Sequence, residues 1–195
     1  MAVGLGLATA VSVVGVRAAD TVTGLERAEE PAADALKPGL AITYWYGFFD
    51  FMSEMDQFVG SRDGVPGEPI EQIAVTGPEV FGSGRDMGVG MMIDGLIKFD
   101  EAGVYTIAMH SNDGVILEIG NQFILADPDK HSDRFSEMIP VEVPEPGWYP
   151  LHIQYFQKKG TWTLELYWLA PGQEGELELV PKEAYSHLPD MAKSS

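Results

Sequence analysis

The chain of 195 residues carries 30 acidic against 12 basic side chains, a formal charge of −18, and is 45% apolar. That balance excludes unaided binding to nucleic acid or an anionic membrane face, both of which need clustered Lys and Arg; Lys158-Lys159 is the one adjacent basic pair. Cysteine is absent, which removes disulfides, thiolate metal sites and cysteine nucleophiles but assigns no compartment, because a core of this size folds without cross-links.

The first residues, MAVGLGLATAVSVVGVRAAD, place an apolar run from Ala2 to Val16 before the small residues Ala18 and Ala19. Residues 1–19 are expected to be a secretory signal peptide or a short retained apolar anchor. The run is shorter than the ~20 residues a helix needs to cross a bilayer, so no direct transmembrane span is expected. Residues 20–38, rich in Ala, Glu and Pro, read as a tether, and the folded domain is expected over 39–187 with a loose tail at 188–195. With 22 glycines and 13 prolines, turns are dense, which favours an all-β domain of many short strands.

Within that domain, 39–51 reads as a first strand dense in aromatic core residues. Residues 52–90 lose periodicity and read as a long Gly- and Pro-rich loop, with short strands near Ile73 to Val75 and Val80-Phe81. Residues 91–99 return to an extended apolar pattern. Strand alternation follows over 105–110 and 115–119, separated by Ser111-Asn112-Asp113-Gly114, and Gly120-Asn121 marks a tight hairpin into the next strand. Two further strands, 149–157 and 161–169, are expected to form a hairpin through Gln157-Lys158-Lys159-Gly160.

Three stretches in this order, GVYTIAMHSNDGVILEI, PGWYPLHIQYFQKKGTWTLELYW and VPKEAYSH, resemble the protective-antigen-type domain family. Its members are β-sandwich modules of bacterial toxins, glycosidases and cell-surface adhesins. Over 39–187 the resemblance implies an antiparallel two-sheet β-sandwich with a non-catalytic carbohydrate-binding or structural role. In the sugar-binding members, it implies that two consecutive aspartates joined by a cis peptide hold a calcium ion that bonds sugar hydroxyls. A loop between two late strands would add an asparagine and backbone carbonyls.

Those positions are here Asn112 and Asp113, and the late loop is 157–162. The candidate ligand-binding set is Asn112, Asp113, Gly114, Gln157, Lys158 and Trp162, with Trp162 as a stacking surface and Asn112 and Asp113 as the candidate calcium ligands. Calcium takes six to eight oxygens and draws most of its affinity from carboxylates, so one amide in place of a carboxylate and two nearby lysines weaken the site. The plainer reading is a turn in which Asp113 accepts backbone hydrogens. In DPDKHSD, Asp127, Asp129, His131 and Asp133 alternate, but the glycine of a calcium loop is missing, which favours a solvated acidic loop.

No nucleophile motif, zinc-protease motif or phosphate loop supports catalysis. Two functions follow. One is an exported carbohydrate-binding module of the periplasm or cell surface, acting through the loop end at 112–113 and 157–162. The other is an accessory subunit that docks on a cell-envelope or membrane protein complex through its acidic surface and the 52–90 loop.

Overall fold

The computed structural model describes residues 19–32, 34–74 and 78–191. The expected signal or anchor lies outside the described residues but for Ala19, as does the end of the tail from residue 192. The chain order begins β1 (Lys37–Pro38), β2 (Ala41–Tyr46), α1 (Met52–Val59), β3 (Val65–Pro66), β4 (Val89–Phe99), β5 (Gly103–Asn112) and β6 (Val115–Ile119). It continues through β7 (Gln122–Asp127), β8 (Arg134–Phe135), β9 (Ile139–Val143), β10 (Gly147–Gln157), β11 (Thr163–Leu169), β12 (Glu178–Leu179) and β13 (Tyr185–His187).

These strands make two antiparallel sheets. The larger runs β1-β13-β4-β10-β6-β7, with β2 beside β4 and β3 beside β2; the smaller runs β12-β11-β5-β8, with β9 also on β5. The two-residue period shows in β6, β9 and β10. On β10 the side chains of Tyr149, Leu151, Ile153 and Tyr155 are buried, while Trp148, Pro150, His152 and Gln154 are half-exposed. Facing them across the core, β5 and β11 contribute Tyr105, Ile107, Met109, Leu164 and Leu166. Burying such side chains stabilises the fold by roughly 1.5–3 kcal/mol each.

The β6–β7 hairpin forms as expected, with Gly120 at φ 56° and Asn121 at φ 59° supplying the left-handed turn. The expected late hairpin does not form. β10 pairs β4 and β6 in the larger sheet, whereas β11 pairs β5 and β12 in the smaller. The strands on either side of Ser111–Gly114 are likewise split, β5 in the smaller sheet and β6 in the larger. Both connections therefore cross from one sheet to the other. Alternation alone cannot tell a hairpin from a crossing, because either arrangement buries the same alternate side chains.

Two other expectations change. The stretch after residue 51 is no open loop: Met52 and Met55 of α1 bury with Phe49 against Phe156, on the outer face of β10. Phe51 at the N-cap has no side-chain bond to the helix, so the eight-residue helix has one usual start signal, Glu54 in its first turn, whose carboxylate accepts the Asp50 amide at 2.8 Å. Farther on, Val80 and Phe81 enter the main core. Nor does the tether stand free. Val22 bridges Val141 in parallel, the Glu26 and Ala28 amides donate to the carbonyls of Gly120 (2.8 Å) and Trp148 (2.9 Å), and Leu25 is buried in the core. Two apolar residues three apart, with backbone bonds that leave no sequence pattern, hold the segment to the sandwich.

Candidate functional site

The two crossings bring residues 112–114 and 157–162 to one end of the sandwich. β5 ends at Asn112, directly opposite Thr163 at the start of β11, while Val115 at the start of β6 stands opposite Tyr155 on β10. The Asn112–Asp113 peptide is cis, as the family resemblance implies for this position. Gly114 follows because the backbone passes close to its neighbours: a Cβ there would lie 2.4 Å from the Phe156 ring and 3.0 Å from the Pro128 carbonyl.

Asp113 is buried, 3% exposed, and each carboxylate oxygen accepts one backbone amide. Oδ1 takes the N–H of His131 at 3.1 Å and Oδ2 that of Lys158 at 2.8 Å. The amides come from two other loops, so Asp113 ties three chain segments together instead of capping its own turn. Burial pushes its carboxyl above the ordinary carboxylate range, outweighing the two amide bonds that pull it down.

Beside it, Asp50, in the loop before α1, accepts from Lys158 Nζ and Lys130 Nζ, each at 2.6 Å. Those two bonds draw Asp50 down to about 2. Its backbone carbonyl also receives the Lys130 amide at 2.9 Å. Of the two late-loop lysines expected to oppose a cation at Asp113, Lys158 is thus engaged by a carboxylate from another loop, while Lys159 stays exposed.

Most of the sequence-derived set turns out to be structural. Gln157 is fully buried and its Nε2 donates to the Thr161 carbonyl at 3.0 Å, closing the loop from inside. The Tyr155 hydroxyl donates to the Asn112 carbonyl and lies 3.2 Å from Gln157 Oε1. Trp162, expected as a stacking surface, is 6% exposed and packs on Phe81 with centroids 4.9 Å apart, so it presents no face to a ligand. The reason is register: Trp162 lies before the first β11 pair and points inward with Leu164. Asn112 is 8% exposed and Lys158 half-buried; the open polar rim consists of Lys159, Gly160, Thr161 and Ser132.

The 127–133 loop does not assemble its alternating acids. Asp127 receives both Arg134 guanidinium bonds, Asp133 accepts from Thr163 Oγ1 at 2.7 Å, and the Asp129 backbone bridges Phe51. His131 Nδ1 donates to the Ser132 carbonyl at 2.8 Å, and its Nε2 sits 3.2 Å from Asp127 Oδ2 without hydrogen-bond alignment. Among the described residues, no three His, Asp or Glu side chains are placed to hold a metal ion together. Sequence reasoning missed Asp50, which lies inside an aromatic run and carries no motif.

Residues 86–179 match the PA14 domain family. No curated protein matches the sequence. Among solved structures, the PA14 domain of the MpAFP antifreeze protein superposes with a TM-score of 0.66 at 17% identity, covering 84% of this chain and 98% of that one. The PA14 sugar-binding domain of an RTX adhesin gives 0.60 at 14% identity, covering 77% and 98%. The A domain of epithelial adhesin 9 from Candida glabrata, in complex with Galb1-3GlcNAc, gives 0.63 at 14% identity, covering 87% and 97%. The family match and the two-sheet fold agree: residues 86–179 of this chain belong to a PA14 domain.

Proposed function

We propose that the protein is an exported, non-catalytic carbohydrate-binding module whose ligand rests on the loop end around Asn112-Asp113 and 157–161. The observation that carries this reading is Asp113 itself. A buried carboxylate that bonds the amides of His131 and Lys158 holds the segments around 113, 131 and 158 in fixed relation. Their exposed rim, including Lys159, Thr161 and Ser132, is then organised before a ligand arrives, which limits the entropy lost on binding. The sugar-binding PA14 domain and the glycan-bound adhesin domain that superpose on this chain support the ligand class.

Calcium does not fit the donor set. One carboxylate is present at the 112–113 pair, each of its oxygens already accepts an amide, and Lys130 acts on it as a nearby positive charge. Recognition by this module is therefore direct, through hydroxyl contacts with side chains and backbone of the rim. A glycan array probed with the purified protein tests both parts. Binding that is equal with and without a chelator is the expected result; binding abolished by the chelator would restore the ion. Absence of binding in both conditions would remove the carbohydrate reading.

The docking-subunit reading, which relies on the acidic surface and the 52–90 segment, gains no support from the structure: Met52 and Met55 of α1 and Val80 and Phe81 of that segment pack onto the sandwich.

A further inference from the structure

The outer face of the smaller sheet carries an arrangement that the loop end does not account for. Glu165 on β11, His110 on β5 and Phe135 on β8 stand opposite one another across three strands. His110 Nδ1 lies 3.0 Å from Glu165 Oε2, and the Phe135 ring stacks on the imidazole at 4.6 Å with 14° between planes. In the neighbouring row, Tyr167 is paired with Ala108. Ala108 is fully buried, and its methyl leaves room for Tyr167 and Phe135 to meet over the middle strand, centroids 5.2 Å apart at 61°. The Tyr167 hydroxyl donates to the same Glu165 oxygen at 3.0 Å. One carboxylate thus anchors two aromatic side chains, and the third ring leans on both.

Beside this cluster opens a hollow of about 580 Å³ with Thr106, Leu169 and Met138 among its walls and Glu176 at its rim. Phe135 stays 49% exposed although its orientation is already set. The hollow has one hydroxyl and one carboxylate beside the rings and no Lys or Arg in its lining, and the chain as a whole carries −18, so an anionic ligand is opposed. A rigid aromatic surface flanked by sparse polar acceptors suits a flat, uncharged ring with apolar C–H faces and hydroxyls at its edge. A purely aliphatic occupant would leave Glu176 and Thr106 without partners.

We propose that this face is a second saccharide-binding site, in which an uncharged pyranose stacks on Phe135 and Tyr167 while Thr106 and Glu176 bond its hydroxyls. It is independent of the loop-end site: Thr106 lies six residues back along β5 from Asn112, about 20 Å at the rise of an extended strand. An array signal could therefore arise from either surface.

Amide NMR titration of the full chain separates them. Cellohexaose and lactose serve as neutral probes and hexagalacturonate as the anionic one. The expected result is saturable shifts at Thr106, Phe135, Tyr167 and Glu176 with at least one neutral probe and none there with hexagalacturonate. Phe135→Ala and Tyr167→Ala are each expected to weaken that binding by about tenfold. Phe135→Leu keeps apolar volume without the ring and is expected to weaken it similarly, which guards against a loss through local unfolding. No shift at these residues with either neutral probe at roughly 10 mM, shifts confined to Asp113, His131 and Lys158, or unchanged binding by the variants would each overturn the proposal.

Discussion

The sandwich end and the outer face of the smaller sheet make opposite use of their side chains. At the end, Asp113, Gln157, Tyr155 and Asp50 bond the protein's own amides, carbonyls and ammonium groups, and Trp162 is sealed into the core. On the face, Glu165 satisfies polar neighbours so that the Phe135 ring is left uncovered. A cluster rich in functional residue types can thus be mostly scaffolding, whereas a site needs groups that are fixed and still unsatisfied. For the loop end, such groups are the rim residues and not the motif residues beneath them.

That contrast can be broken by experiment. The largest effect is expected from Trp162→Ala, which opens a cavity beside Phe81 and should cost about 3–5 kcal/mol in urea unfolding. A change under about 1 kcal/mol would return Trp162 to the surface role that its sequence suggests. Asp113→Ala leaves two buried amides, those of His131 and Lys158, without acceptors; a loss of about 2–4 kcal/mol is expected, together with faster amide exchange at both residues. If only its own turn were affected, the three-loop tie would be refuted.

Phe135→Ala should differ sharply from both. It removes an exposed ring, and about 0.5–1.5 kcal/mol of aromatic contact with Tyr167 and His110 is the expected stability change, far below its effect on saccharide binding. The smallest effect concerns pH. The Asp50 carboxyl titrates near 2, below its ordinary 3.8, so the stabilisation it receives from Lys130 and Lys158 is complete above 3.8 and lost as pH falls through 2. Carboxyl NMR should show that midpoint, and Lys158→Met should move it upward toward the ordinary value.

Much of the fold was legible along the chain. The two-residue alternation of 105–110, 149–157 and 163–169 marked strands and their buried sides, and Gly120-Asn121 marked its hairpin, because these depend on local backbone preference and on side chains a few residues apart. The short helix α1 was not legible: eight residues behind a Phe N-cap that makes no side-chain bond depend on Met52 and Met55 resting on Phe156, about a hundred positions away in sequence. The packed course of 22–28 escaped for a similar reason, since its hydrogen bonds join backbone groups that every residue possesses.

For the candidate site, the sequence by itself determined the place and the residue types: an Asn112-Asp113-Gly114 turn and a lysine-bearing loop that the family resemblance sets together. Only the tertiary structure decided which of those side chains remain available. Strand pairing sent β5 and β11 to one sheet and β6 and β10 to the other, turned Trp162 and Gln157 inward, and brought Asp50 across to Lys130 and Lys158. It also set Phe135 over Ala108 beside Tyr167. Periodicity reports which side of a strand a residue faces, but satisfaction of a polar group or exposure of a ring depends on partners supplied by distant segments, and those are set by packing in three dimensions.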